Sequence, residues 1–452
     1  MGDWLINHPF WHALLRVVLL VLPVLLFVVP IIWFERRLLG WFQDRLGPNR
    51  TGNIQFSRTS RFVPFFLKGK KFHLQGLAQP MADGIKLFLK EDITPSAVDR
   101  AIYFIAPAIA LFPPFALGAT IPWGPFPLIT PVADVNIGVL YILAISSLGV
   151  YGIVLAGYAG NNKFSLLGGL RSSAQLISYE LAMGVSLGCI VMATGSLKPS
   201  DMLAYQGGAF WGFKESAIGD ILANWNILTP FGAVAALIFF ICMIAETNRA
   251  PFDLPEAENE LVAGYHTEYS SMKFAVFFMG EYASMFVYSA ILVTVFFGGW
   301  HLLPFRFDYL AAHYPAAGDI WHVLDMLNGN SFLAPIWFIL KCAMVITGYI
   351  WIRATLPRLR YDQLMSLGWK SLLPLAVSNL IVIAFWIFAT DTFGPLVGWA
   401  TSFLAVLILI GLYRSLNKNA ESTQLASRTI ELVDPSPRRT VELVEPAQVP
   451  SA

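Results

Sequence analysis

The sequence predicts an all-α fold: a polytopic bundle of membrane-spanning helices. Of the 452 residues, 56% are hydrophobic and only 13% charged, which lies outside the usual range of soluble domains. Apolar runs long enough to cross about 30 Å of hydrocarbon recur along most of the chain. Lys and Arg sort to alternate loops, as they do when helices cross back and forth. The spans must be helical because backbone N–H and C=O groups in lipid have to bond within their own segment.

Taken in order, the helices are expected at about residues 13–34, 99–121, 136–160, 171–195, 229–248, 272–299, 332–355, 372–391 and 395–414. Only "DTFGPL" separates the eighth from the ninth. The first run has full span length, no basic segment before it and no small-residue cleavage site after it, so it reads as a span and not a cleavable signal. The loop after the first helix carries Arg36, Arg37, Arg45, Arg50, Arg58, Arg61, Lys68, Lys70, Lys71, Lys86, Lys90 and Arg100. The loop after the third carries Lys163 and Arg171, and that after the seventh Arg353, Arg358, Arg360 and Lys370. The loops between have only Lys198, Lys214 and Arg306. This bias puts the N-terminus outside and the odd-to-even loops in the cytoplasm. Nine spans then place the C-terminus inside, in agreement with Arg414, Lys418, Arg428, Arg438 and Arg439.

The longest polar stretch inside the bundle is the first loop, residues 35–98. Its segment "QGLAQPMADGIKLFLKED" puts Leu77, Met81, Ile85, Phe88 and Leu89 on one face and Gln79, Asp83, Lys86 and Lys90 on the other. It is expected to be an amphipathic helix in the headgroup plane; the alternative is an ordinary buried connector. Residues 1–415 thus form one integral membrane domain. Residues 416–452 form a polar, Pro-rich tail, expected to be disordered, with the repeated pair "TIELVDP" and "TVELVEP" as a candidate docking peptide.

The three cysteines, Cys189, Cys242 and Cys342, each sit singly in apolar runs, and the histidines are scattered. Neither pattern offers zinc or iron–sulfur spacing, so no metal site and no catalytic residue is assigned. The informative chemistry is acidic. "AETNRAPFDLPEAENELVAGYHTEYS" carries Glu246, Asp253, Glu256, Glu258, Glu260 and Glu268 with Arg249 among them, between two apolar runs. Pro251 and Pro255 keep it from being helical, and irregular backbone beside a membrane is tolerated where it lines a cavity. Glu180 and Glu281 lie inside spans, each about 14 Å from the cytoplasmic side at 1.5 Å per residue. Lys341 falls near the midplane and is a candidate counter-charge for either. A carboxylate at that depth is costly and faces the protein interior. Clustered acids can share protons near neutral pH, as a proton path requires. The structural alternative is a set of interhelical salt bridges. A Ca²⁺ or Mg²⁺ site is the third reading, but "DLPEAENE" lacks EF-hand spacing. Arg249 with Arg36, Arg37, Arg45 and Arg50 is expected to supply cations close to the acids.

Five blocks in order resemble the H subunit of proton-pumping NADH:quinone oxidoreductase, respiratory complex I. They are "ERRLLGWFQDRLGPNR", "QPMADGIKLFLKED", "NNKFSLLGGLRSSAQLISYEL", "AETNRAPFDLPEAENELVAGYHTEYSSMKFAVFFMGEY" and "WIRATLPRLRYDQLMSLGWKSLLPL". The resemblance runs from about residue 11 to 415. It implies a subunit of a bacterial cytoplasmic (inner) membrane complex that forms most of a quinone-access chamber and has no redox centre of its own. FMN and Fe–S clusters would lie in partner subunits, and ubiquinone or menaquinone would be the substrate. The acidic segment from Glu246 to Glu268 would be a funnel, and Glu180 and Glu281 would lead from it toward antiporter-like partner subunits. The helix around Met81 would border the way in from lipid. The stretch 197–228 and the tail exceed the family pattern. Two other readings compete: the homologous subunit of a membrane-bound hydrogenase-type complex, and a self-contained proton or cation transporter. The second would be favoured by inverted repeats, which the sequence lacks. No nucleic-acid partner is expected.

Overall fold

Apolar sequence becomes helix throughout the computed structural model, which describes residues 9–51, 54–55, 71–72, 75–125, 131–210, 221–253, 262–313, 318–328, 333–408 and 411. The helices are α1 (Pro9–Phe42), α2 (Gln79–Leu89), α3 (Arg100–Gly118), α4 (Gly138–Ala159), α5 (Lys163–Thr194), α6 (Pro199–Gln206) and α7 (Pro230–Glu246). There follow α8 (Ser271–Phe296), α9 (Phe307–His313), α10 (Gly318–Asn328), α11 (Ala334–Thr355), α12 (Tyr361–Ser366), α13 (Leu373–Phe393) and α14 (Pro395–Ile408). A π turn, Leu367–Leu372, joins α12 and α13 into one long element. Ile54–Gln55 and Lys71–Phe72 form a two-residue antiparallel ladder, the only sheet among the described residues. The chain divides into Met1–Phe403 and Leu404–Ala452; of the second unit only the apolar helical turn up to Ile408 and Gly411 is described, so the expected tail lies outside the described residues.

Seven described helices are long and apolar enough to cross a membrane, where nine were expected. The difference lies in α7 and α14, both of which fall among the shorter apolar helices. α7 has 17 residues because Pro230 starts it, with the Thr229 side chain accepting from Gly232 N at 3.1 Å, and because Asn248 turns left-handed (φ 48°) just past its end. It still runs antiparallel to α5 along the bundle. Gln175 of α5 donates to Ala245 O at 2.8 Å near the end of α7. Asn379 of α13 bonds both Phe231 O at the start of α7 and Cys189 Sγ further along α5.

The expected boundaries shift at α1 and α5, and the eighth span begins early, at Tyr361. α1 continues through "ERRLLGWF" because buried Glu35 finds a partner of opposite charge, described below. α5 starts at Lys163, capped by the Asn162 side chain at 3.1 Å from Phe164 N, and ends on left-handed Gly195 (φ 70°). Its two added turns are rich in Gly and Ser and pack closely, so hydropathy alone misses them.

α8 is the hub. It packs against α1, α2, α3, α7 and α11, and most of its second half is buried. The amphipathic helix expected in the first loop is present as α2. Its apolar side is open rather than buried: Phe88 is 71% and Leu89 77% exposed. α2 is held to the start of α8 by Ser271, whose Oγ donates toward Leu87 O and Lys90 O. Lys273 adds charge-assisted bonds to Asp92 at 2.7 and 2.8 Å.

Candidate functional site

The end of α7, the 3₁₀ turn Gly264–His266 and the first half of α8 meet beside α5. Arg249 follows directly on α7, where the chain leaves helix, and is 5% exposed. Its guanidinium lies 2.8 Å from Glu281 Oε2 and stacks on the rings of Tyr282 (4.5 Å) and Phe278 (5.1 Å). Tyr265 OH donates to Glu281 Oε1 at 3.1 Å, and His266 Nε2 lies 3.7 Å from the same oxygen. Glu281 is therefore held by one cation, one phenol and one imidazole, all supplied by the segment that the prolines keep out of helix.

A second carboxylate, Glu246, ends α7. Tyr288 of α8 donates to its Oε1 at 3.3 Å. Its Oε2 is buried and has no hydrogen-bond partner among the described residues. Glu246, Glu281, Tyr265, Tyr288 and Ser146 line one cavity of about 60 Å³. About 10–15 Å³ suffices for one water, so the cavity has room to hydrate the open oxygen. Behind Ser146 stands Glu180 of α5, whose Oε1 accepts from Ser146 at 2.5 Å and Ser147 at 2.7 Å. Two carboxylates from two helices thus line one cavity inside an apolar bundle, and a third, Glu180, stands one serine away.

The remaining expected site residues are placed less uniformly. Asp253 is 7% exposed and pairs with Arg358 at 2.8 Å. Glu268 Oε1 accepts from Asn162 Nδ2 at 2.9 Å, and its carbonyl accepts from Tyr103 OH at 2.7 Å. Glu256, Glu258 and Glu260 lie outside the described residues. The first-loop arginines do not join the described acids as expected. Arg36 pairs with Asp83 of α2. Arg37 bonds Gln75 O at 3.0 Å and stacks on Trp33 and Trp41. Arg45 bonds Gln43 at 2.7 Å, and Arg50 is exposed. Arg36 and Arg37 fasten α2 and the first loop to α1 instead.

Lys341 is not the counter-charge for Glu180 or Glu281. Its ammonium donates to the carbonyls of Phe297 and His301 and sits 3.9 Å from the Trp225 ring. Helical side chains lean toward the helix N-terminus, and a lysine stem is long. From α11 it therefore reaches back to the C-terminal end of α8, where carbonyls and the helix dipole favour a cation.

Several partners escape a reading of the sequence. Buried Glu35 of α1 and half-buried Arg353 of α11 form an ion pair across distant parts of the chain. Tyr265, His266, Tyr288, Ser146 and Ser147 carry no sequence pattern that sets them apart from neighbouring packing residues. The close helix approach does leave a trace, in "LLGGLRSS". A Cβ on Gly168 would stand 2.8 Å from Gly264 Cα and 3.1 Å from Tyr265 N. Gly168→Val is expected to push the turn bearing Tyr265 and His266 off Glu281, costing about 1–3 kcal/mol. Gly188→Val on the same helix meets nothing within 4 Å and is the control. Thermal unfolding of the membrane preparation reads the difference; equal stability of the two variants would show that the contact does not matter.

Fold and site together define an integral membrane protein that carries carboxylates from one end of its helical bundle into the interior. Residues 15–384 match the family model described as NADH dehydrogenase. The chain is 43% identical over 387 residues to the NADH-quinone oxidoreductase H subunit of Ralstonia pickettii (strain 12J), covering 85% of this chain and 94% of the relative. It is 44% identical over 404 residues to the second H-type member of NADH-quinone oxidoreductase from Geobacter metallireducens, covering 84% and 98%. The corresponding second H-type member from Koribacter versatilis is 41% identical over 391 residues, covering 83% and 96%. The chain belongs to this family, the H-type membrane subunits of NADH-quinone oxidoreductase.

Proposed function

We propose that the chain works in a bacterial inner-membrane complex as the subunit that faces the quinone and opens the proton path. The N-terminus lies outside and the α2 end of the bundle faces the cytoplasm. There the segment from Glu246 to Glu268, including Asp253, Glu256, Glu258 and Glu260, is the acidic wall between the quinone chamber and the membrane interior. Arg36, Arg37, Arg45 and Arg50 hold the rim, and the open apolar side of α2 borders the way in from lipid. Peripheral partner subunits bring FMN and Fe–S clusters and deliver the electrons. This chain supplies orientation, charge and proton exchange, and binds no redox group itself. Antiporter-like partner subunits take up the path beyond Glu180.

The observation that carries this reading is the shared pocket of Glu246 and Glu281, with Glu180 one serine away. Quinone reduction takes up protons and alters the local charge. A row of carboxyls linked by hydroxyl groups and hydratable space can respond by passing protons along. Arg249 fixes Glu281, so the end of the row nearest the irregular segment is oriented by the segment itself.

Tyr288→Phe tests the path. It removes the O–H that donates to Glu246 and leaves the ring packing in place. Expected is NADH-driven quinone reduction near wild type with a lowered proton-to-electron ratio in proteoliposomes of the whole complex. An unchanged ratio would remove Tyr288 from the path. Purification of the chain as a lone protein with transport activity of its own would overturn the whole reading.

A further inference from the structure

The family reading leaves unexplained a second amphipathic helix, α10, between α8 and α11. Four of its aliphatic side chains face away from the protein: Ile320 is 61%, Val323 57%, Met326 63% and Leu327 38% exposed. At 100° per residue they cover about one third of the helix circumference. The opposite side faces inward. Trp321 stacks on Phe307 of α9 (centroids 6.2 Å apart), and Asn328 is 6% exposed. α10 is thus apolar where a helix in water would be polar, and it does not owe this to a loose fit.

The anchoring of α10 sets its height. Asn328, the last residue of α10, is a three-way clasp on the loop that follows α8: its carbonyl accepts from Leu302 N at 2.9 Å and its Oδ1 from Leu303 N at 2.7 Å. Its Nδ2 donates to Phe305 O at 3.1 Å. Trp337, in the first turn of α11, donates its indole N–H to Leu327 O at 2.8 Å. α10 is therefore fastened to the outgoing end of one span by Asn328 and to the incoming end of the next by Trp337, a residue type favoured at membrane interfaces. The adjoining outward residues of α11, Ile336, Leu340 and Met344, are themselves 51%, 46% and 67% exposed. The open face of α10 thus follows on an exposed apolar side of α11. α7 and α8 both cross the bundle, so this is the end opposite α2. The helix has Asp319, His322 and Asp325 but no Lys or Arg. Insertion among acyl chains, not attraction to headgroup charge, has to hold it.

We propose that α10 lies in the lipid–water boundary of the leaflet opposite α2, with Ile320, Val323, Met326 and Leu327 inserted among phospholipid acyl chains. The chain would then rest on the bilayer at both faces, through α2 on one side and α10 on the other. The proposal stands on the placement of α10 and not on the quinone or proton roles.

Two measurements on the assembled complex in phospholipid vesicles test it. The chain's own cysteines are buried, so a fluorophore can be placed through Met326→Cys on the open face and His322→Cys on its polar edge. Expected is several-fold stronger quenching of the Met326→Cys probe by acyl-brominated phospholipid than by iodide, with the reverse order at His322→Cys. The wild-type complex, which needs no substitution, is irradiated with a phospholipid bearing a photoreactive acyl chain. Lipid adducts are expected within residues 318–328. Iodide access equal at both positions would put the face in water and overturn the proposal. Shielding of the Met326→Cys probe from both quenchers, or adducts on α8 and α11 with none on α10, would assign the face to a partner subunit and overturn it equally.

Discussion

Arg249→Ala is expected to cause the largest loss in the molecule, in stability and in quinone reduction together. The guanidinium is the one cation within 3 Å of Glu281 among the described residues, and both side chains are nearly closed off, at 6% and 10% exposure. Removing one partner of a buried pair leaves the other charge uncompensated, at a cost of about 3–5 kcal/mol. His266 at 3.7 Å and Tyr265 at 3.1 Å remain, but neither replaces a permanent charge. The variant also loses the stacking on Tyr282 and Phe278, so Arg249→Lys is expected to recover charge without full stability. A cycle with Glu281→Gln separates pairing from packing. The double variant should unfold at a higher temperature than Arg249→Ala alone, because no buried carboxylate is stranded. Strict additivity of the two single effects would show that the pair is not energetically coupled. Retained quinone reduction in an Arg249→Ala complex that assembles normally would remove this pair from the proposed quinone-facing role.

The fold was legible where hydropathy controls it. Long apolar runs and the amphipathic spacing of Met81, Ile85 and Phe88 each correspond to a described element. Errors arose where specific packing replaces apolar content. α5 extends through Gly168 and Gly169 because glycine lets α4 and the Gly264 turn approach, a cue that hydropathy reads as loop. α1 continues past Glu35 because Arg353, more than three hundred positions away in the chain, neutralises it. At the site, the acids themselves were legible because charge inside an apolar run is rare. Their partners were not. Tyr288 and Ser146 belong to residue types that also serve ordinary packing, and only the fold places them against Glu246 and Glu180. The misassigned Lys341 shows the same limit from the other side. Its position in the chain gives helix depth, while its stem and the α8 carbonyls decide where the charge sits.

Glu246→Gln is expected to separate electron transfer from proton movement more sharply than any other single change. Glutamine keeps the volume and keeps an oxygen for the Tyr288 O–H, so the local packing survives. It cannot hold or release a proton in the working range. The carboxyl stands between the irregular segment and the pocket shared with Glu281, and its Oε2 is the polar atom the pocket leaves to be hydrated. A path through the pocket therefore loses a carrier, while the Arg249–Glu281 pair beside it stays intact. The expected result is a proton-to-electron ratio well below wild type, with quinone reduction retained when the membrane is made leaky. Glu180→Gln should act in the same direction, because Ser146 and Ser147 connect it to that pocket. Glu35→Gln is the discriminating control: Glu35 is 5% exposed, but it pairs with Arg353 and does not line the cavity. It should lower thermal stability and leave the ratio unchanged. If Glu35→Gln lowered the ratio as much as Glu246→Gln, the loss would reflect any weakened buried carboxylate and not a path. If Glu246→Gln left the ratio at its wild-type value, the proposed path through this pocket would be overturned.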